Sequence, residues 1–188
     1  MTNMESKEEL RKEIIRRLKD QDPALRDKRS RKIQERFLAS EEFKACRTVM
    51  TYVSLTTEVD TSMINEEALR SGKRVAVPYL GPGEERIIAS KLTAIKDLEK
   101  GPFGICQPKK SRVEEVPPEE IDLVVVPAIA YDTDNMRLGR GKGFYDRFLA
   151  EKHLSRIPTV GLAFGFQVVE HLPSDPHDRP VFRVITDM

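Results

Sequence analysis

An open, mostly parallel α/β sheet with helices on both faces is the fold this sequence predicts, and three observations predict it. Leu123-Val124-Val125-Val126 and Thr159-Val160-Gly161-Leu162-Ala163 are apolar or β-branched nearly throughout, as strands buried on both faces are. Strand-like runs alternate with helix-like segments, the pattern of a sheet built by crossover connections. The length of 188 residues fits one domain, residues 1–188, with an N-terminal helical segment over about residues 6–40.

The elements follow in order. Ser6-Lys7-Glu8-Glu9 has the spacing of a capping box and opens a helix from about Lys7 to Lys19, whose apolar positions are Leu10, Ile14, Ile15 and Leu18. At roughly 100° per residue, Lys7 and Arg11 fall inside the stripe of Leu10, Ile14 and Leu18. Two explanations stay open at this point: both charges snorkel to water over apolar surface, or both reach an anionic ligand. Asp22-Pro23 reads as an N-cap with proline at N1, starting a second helix through Ile33, Phe37 and Leu38 whose many cations make a solvated face.

Thr48 to Val53 reads as a strand, Ser54 to Glu58 as a loop, and Asp60 or Thr61 as the cap of a helix ending near Gly72. Arg74 to Pro78 is the next strand, Gly81-Pro82-Gly83 a turn, and Arg86 to Ser90 an edge or antiparallel strand. From Lys91 to Glu120, glycines and prolines interrupt any period. Leu123 to Val126, a helix from about Gly143 to Lys152, Thr159 to Ala163 and a short strand Arg183 to Thr186 complete the chain. Ligands bind such sheets beyond the carboxyl ends of the strands, which the loops after Val53 and Val126 both leave.

Composition narrows the function. Lys plus Arg (32) nearly balance Asp plus Glu (31), so bulk charge points to neither nucleic acid nor an anionic membrane surface. Any anion site has to be local. Cys46 and Cys106 are too few for a disulfide framework or zinc site and read as small core residues of a protein in a reducing compartment. The Lys/Glu-rich N-terminus has no apolar signal-peptide core and no run approaches membrane-spanning length, so a cytoplasmic location is expected.

The local anion site is the stretch from Asn135 to Arg147, which holds Gly139, Gly141 and Gly143 among Arg137, Arg140, Lys142 and Arg147. Alternating glycines allow positive φ and close backbone approach, and successive N–H groups form an anion nest. A helix starting near Gly143 adds its dipole. The loop lacks both the dinucleotide spacing and the Gly-Lys-Ser/Thr of a P-loop. Its charge suits a polyphosphate. Asp146 beside such a cradle is a candidate Mg²⁺ ligand, or simply an acid in the first turn of its helix.

Taken together, Arg137-Leu138-Gly139-Arg140-Gly141-Lys142-Gly143-Phe144-Tyr145-Asp146, Lys7 with Arg11, Glu58-Val59-Asp60-Thr61, and Pro173-Ser174-Asp175-Pro176-His177-Asp178 resemble the 5-formyltetrahydrofolate cyclo-ligase family over essentially the whole chain. The resemblance implies a fold shared with sugar-phosphate isomerase and CoA-transferase-like proteins. It implies the Mg²⁺- and ATP-dependent conversion of 5-formyltetrahydrofolate to 5,10-methenyltetrahydrofolate; small-molecule partners only, with no nucleic acid or membrane, and a monomer are the expectation. ATP would be held by Lys7, Arg11 and Arg137 to Tyr145 (Arg137, Leu138, Gly139, Arg140, Gly141, Lys142, Gly143, Phe144, Tyr145). The folate would meet Val53, Glu58, Arg140, Gly141, Lys142, Gly143 and Phe144. Arg140, Lys142 and Tyr145 would be catalytic, and Asp146 with Asp178 would serve the metal, while His177 reads as a turn residue. Phe144 stands where the family commonly has tyrosine. Two other readings compete: a non-catalytic nucleotide- or folate-binding relative, and a sugar-phosphate isomerase-like enzyme.

Overall fold

The computed structural model describes residues 6–81, 83, 86–173, 175 and 178–188. Pro82 of the expected turn, and Ser174, Pro176 and His177 of the C-terminal motif, lie outside the described residues. Three helices open the chain: α1 (Lys7–Lys19), α2 (Pro23–Leu38) and α3 (Glu41–Ala45). The capping box forms as its spacing predicts, with Ser6 Oγ accepting from Glu9 N and Glu9 accepting from Ser6 N. Asp22 caps α2 by accepting from Leu25 N at 2.9 Å, with Pro23 in the first turn.

Then come β1 (Thr48–Met50), α4 (Ser62–Arg70), β2 (Arg74–Tyr79), β3 (Ile88–Leu92), β4 (Leu98–Lys100), β5 (Cys106–Pro108) and β6 (Leu123–Val126). The remainder is β7 (Ala130–Asp132), β8 (Arg137–Leu138), α5 (Phe144–Leu149), β9 (Thr159–Ala163), β10 (Val168–Val169) and β11 (Arg183–Thr186). The main sheet has the order β11-β9-β6-β1-β2-β3. Its first five strands run parallel, and β3 pairs antiparallel with β2 at the edge. From β1 the chain moves outward through β2 and β3, and from β6 it moves the other way through β9 and β11. The order therefore reverses between β1 and β6, where the two departing loops leave a crevice at the carboxyl ends.

Strand alternation sorts the core into two layers. Val49, Val75, Val77, Leu123, Val125, Val160 and Leu162 pack with Leu10 and Ile14 of α1, Ile33 and Phe37 of α2, and Ile64 and Ala68 of α4. Met50, Ala76, Val124, Val126 and Ala163 face the other way, against Phe148 and Leu149 of α5, Leu154, Val116 and Ile121. Helices thus cover both faces, three long ones against one short one.

Several expectations change. The strand expected over Thr48 to Val53 is regular only to Met50, although Thr51 N still donates to Ala76 O. The edge strand sits two residues later than expected. The helix expected to reach Lys152 ends at Leu149 and is followed by a separate turn at Leu154–Arg156. The interrupted stretch after Lys91 contains a two-stranded antiparallel ribbon, β4 with β5, and a second small sheet of order β10-β7-β8 follows β6. Cys46 is buried as expected, but Cys106 is exposed, because β5 belongs to that two-stranded ribbon rather than to the main sheet. The cations of α2 are not simply solvated: Arg26 donates to Thr56 O, Arg29 pairs with Asp187, and Arg36 donates to Thr186 O and Met188 O.

Candidate active site

The crevice between β1 and β6 is where the predicted residues meet. After β1 the chain turns through Val53 and Ser54 to Glu58. Thr61 precedes α4 but spends its hydroxyl on Tyr52 O at 2.6 Å, while Asp60 accepts from Ser62 N. Of the two candidate caps, Asp60 therefore serves the helix and Thr61 pins the loop to the strand end. Within the loop, Leu55 N donates to Glu58 Oε2 at 2.9 Å, which orients that carboxylate. Val53 is half-buried against the main core.

After β6 the chain forms the β7–β8 hairpin and runs from β8 into the glycine loop. Gly141 (φ 89°) and Gly143 (φ 65°) take left-handed backbone, the conformation for which glycine is suited. Gly139 does not; its carbonyl accepts from Arg11 Nε at 2.9 Å. The Arg11 guanidinium also lies against Gly141, 3.8 Å from where a Cβ would stand. Gly143 leads directly into α5, and Arg147 folds back so that its NH1 donates to Lys142 O.

Lys7 and Arg11 thus both reach across the domain, to carboxylates and to a backbone carbonyl of distant segments. Lys7 Nζ sits 2.6 Å from both Asp175 and Asp178. Burial disfavours the ammonium, yet hydrogen bonds to Asp175 and Asp178 outweigh it and raise the Lys7 pKa. Burial likewise pushes Asp178 up, but Lys7, the Asp175 backbone and Arg137 together bring it below the usual carboxylate value. Asp175, part of the C-terminal motif, had no role of its own in the sequence reading.

Arg137 is held in β8 with its side chain 4% exposed and pairs with Asp146 at the start of α5. Its Nε is buried without a hydrogen-bond partner among the described residues. Tyr145 lies beside it, the guanidinium carbon 5.9 Å from the ring centroid. The Tyr145 hydroxyl is also buried, with no hydrogen-bond partner among the described residues. Burial, reinforced by the nearby Glu58 charge and opposed by Arg137, raises its pKa, so this phenol is a hydrogen-bond donor rather than a base near neutrality. Two orphaned donors at one place are what a ligand oxygen would satisfy.

Arg140 donates from NH2 to Glu58 Oε1 at 2.8 Å, so the glycine loop and the loop after β1 touch directly. Behind Glu58, a cleft of about 510 Å³ opens between α2 and that loop, lined by Arg26, Ser30, Gln34, Ser54 and Asp60. On the other flank, Phe144 lies against Phe103 of the turn between β4 and β5, ring centroids 6.1 Å apart, and Arg147 Cζ stands 5.3 Å from the Phe144 ring centroid. Phe103 escaped the sequence reading; an aromatic residue set between Gly101-Pro102 and Gly104, in an otherwise polar turn, was the available signal. Lys142 is exposed and makes no ion pair among the described residues.

Asp146 and Asp178 are oxygen donors each balanced by a cation, Arg137 and Lys7. Carboxylate oxygens are the donor type that Mg²⁺ takes, one or two of them with phosphate and water completing the shell. Among the described residues, the donors of Asp132, Asp134 and His171 cluster within 4.8 Å of one another, a group that includes neither acid. Asp132 there accepts from Asp134 N, Met136 N and Leu172 N and holds the β7–β8 turn.

Residues 3–187 match the model of the 5-formyltetrahydrofolate cyclo-ligase family. A mouse 5-formyltetrahydrofolate cyclo-ligase is 29% identical over 188 residues, covering 96% of this chain and 93% of its own. The enzyme of that name from Escherichia coli K12 is 33% identical over 140 residues, 74% of this chain and 77% of its own. The solved 5,10-methenyltetrahydrofolate synthetase of Aquifex aeolicus superposes with a TM-score of 0.83 at 34% identity, over 96% of this chain and 89% of that one. The Mycoplasma pneumoniae protein of that name, at 24% identity and a TM-score of 0.78, shares the fold over 98% of this chain and all of its own.

Proposed function

The chain belongs to the 5-formyltetrahydrofolate cyclo-ligase family, and from that premise we propose that the crevice between β1 and β6 closes 5-formyltetrahydrofolate to 5,10-methenyltetrahydrofolate at the expense of ATP. The formyl oxygen attacks the γ-phosphorus and ADP leaves. N10 then attacks the activated formyl carbon and gives up its proton, and phosphate departs with the former formyl oxygen. Such chemistry asks for positioning and charge neutralisation rather than a protein nucleophile.

The observation that carries this reading is a convergence on one loop: Arg11 bonds Gly139, Arg140 bonds Glu58, and Arg137 pairs with Asp146. Lys7, Arg11 and Lys142 supply cations for the triphosphate, and the loop from Arg137 to Tyr145 supplies backbone that can lie close against it. Glu58 accepts from the amino and ring N–H groups of the pterin, with Val53 beside it, and Phe144 offers a ring face. Arg137 Nε and the Tyr145 hydroxyl donate to ligand oxygens. Asp146 and Asp178 would hold Mg²⁺, which neutralises phosphate charge when bound. No observation favours a non-catalytic relative or a phosphosugar isomerase.

The test is to mix the protein with 5-formyltetrahydrofolate, ATP and Mg²⁺ and record the methenyl chromophore. Product that forms only when ATP is present is the expected result. A folded protein giving none above a no-enzyme control overturns the reading.

A further inference from the structure

The Glu58 carboxylate and the Arg140 guanidinium each have two claimants. Glu58 Oε1 accepts from Arg140 NH2 at 2.8 Å while Oε2 accepts from Leu55 N, so both oxygens are engaged. Yet a pterin edge would need that carboxylate, and a triphosphate in the glycine loop would draw on that guanidinium. The two residues stand 82 positions apart and belong to different loops of the crevice. Glu58 has a side chain only 13% exposed, so it cannot swing freely to water once Arg140 leaves.

We propose that the Glu58–Arg140 ion pair couples the two ligand sites, so that folate and nucleotide each bind more tightly when the other is present. The inference rests on the function proposed above. Whichever ligand arrives first has to separate the pair. The pterin replaces Arg140 on Glu58 and releases the guanidinium toward the phosphates; the triphosphate draws Arg140 away and leaves a carboxylate short of a donor beside the folate cleft. The second ligand then binds without opening anything. By linkage, the factor by which folate tightens nucleotide binding equals the factor by which nucleotide tightens folate binding. Arg140 is 44% exposed, so water replaces part of the lost contact and the factor belongs at the low end of such couplings, about fivefold. A consequence for turnover is that ATP is gripped by Arg140 chiefly when folate is in place.

The experiment is a reciprocal titration of the full chain by calorimetry. The probes are a Mg²⁺ complex of a non-hydrolysable ATP analogue and 5-methyltetrahydrofolate, which has no formyl oxygen to phosphorylate. The expected result is an approximately fivefold tightening in both directions. Glu58→Gln keeps the shape and removes the charge. It should weaken folate binding, yet tighten nucleotide binding in the absence of folate to the folate-saturated wild-type value, and reduce the coupling factor to about one. Independent binding in the wild-type protein overturns the proposal, as does Glu58→Gln that binds nucleotide no better than wild type. If the variant does not fold, the reciprocal wild-type titrations still decide. Methenyl product without coupling removes this proposal alone, whereas no product and no binding of either probe removes the functional reading with it.

Discussion

Lys7 Nζ lies 2.6 Å from Asp178 Oδ2, joining the first turn of α1 to a residue 171 positions further on. Asp175 shares the same ammonium, and Arg11, one turn along α1, bonds the glycine loop. The first helix is therefore fastened to the glycine loop and to the C-terminal segment that carries Asp175 and Asp178.

This tether predicts a pH dependence. The Asp178 pKa is lowered from 3.8, so its contribution to stability is present above that value and disappears as pH falls through the lower, folded-state value. The Lys7 pKa is raised from 10.5, so its contribution is present below 10.5 and disappears as pH rises through the higher, folded-state value. Denaturant unfolding should show Asp178→Asn to be less stable than wild type by up to about 1 kcal/mol at pH 7. The difference should shrink as pH drops below about 3.8. A difference that persists in acid would exclude the charge as its source.

Lys142 should matter for activity and not for stability. Its ammonium makes no ion pair among the described residues and is exposed, so Lys142→Ala should leave the melting temperature unchanged. Loss of a charge-assisted bond to phosphate, worth about 1.5–3 kcal/mol, should lower kcat/KM for ATP by roughly 10- to 150-fold. Steady-state kinetics at saturating folate measures it.

Tyr145→Phe should move stability and turnover in opposite directions. The hydroxyl is buried without a partner among the described residues, a costly arrangement in the fold alone. Removing it should stabilise the protein by up to about 1 kcal/mol while slowing turnover about 2- to 10-fold, the worth of one neutral hydrogen bond. Unchanged kinetics with a raised melting temperature would make the hydroxyl a packing defect instead.

Gly161→Ala tests the packing of β9 against Tyr131 of β7. A Cβ at Gly161 in β9 would stand 2.6 Å from Cε1 of Tyr131, a fully buried ring whose hydroxyl donates to Val126 O. Neither backbone nor ring has room, so a loss of about 1–3 kcal/mol or more is expected in denaturant unfolding.

What the sequence showed of this molecule depended on how local each signal is. Leu123 to Val126 and Thr159 to Ala163 carry their burial in their own side chains, and Lys7 with Arg11 betray themselves by falling on an apolar stripe. The strands β4, β5, β7, β8 and β10 are two or three residues long, too short for a side-chain period to announce them, and exist through pairing with one another. Charge type was equally plain and pairing was not. Arg137 and Asp146 could be named as phosphate cation and metal acid, but nothing in their spacing said that they hold each other. Cys106 shows the same limit, since whether a small residue lies in a core or on a ribbon depends on what covers it.

The ties that build the crevice also bear on how fast the protein becomes competent. Lys7–Asp178, Arg11–Gly139 and Arg140–Glu58 span 171, 128 and 82 positions, and closing such long loops is slow. The sheet can be complete while α1 is still undocked, and a molecule caught at that stage would have native-like secondary structure and no working site. Recovery of catalysis during refolding should therefore lag behind recovery of the far-ultraviolet circular dichroism signal.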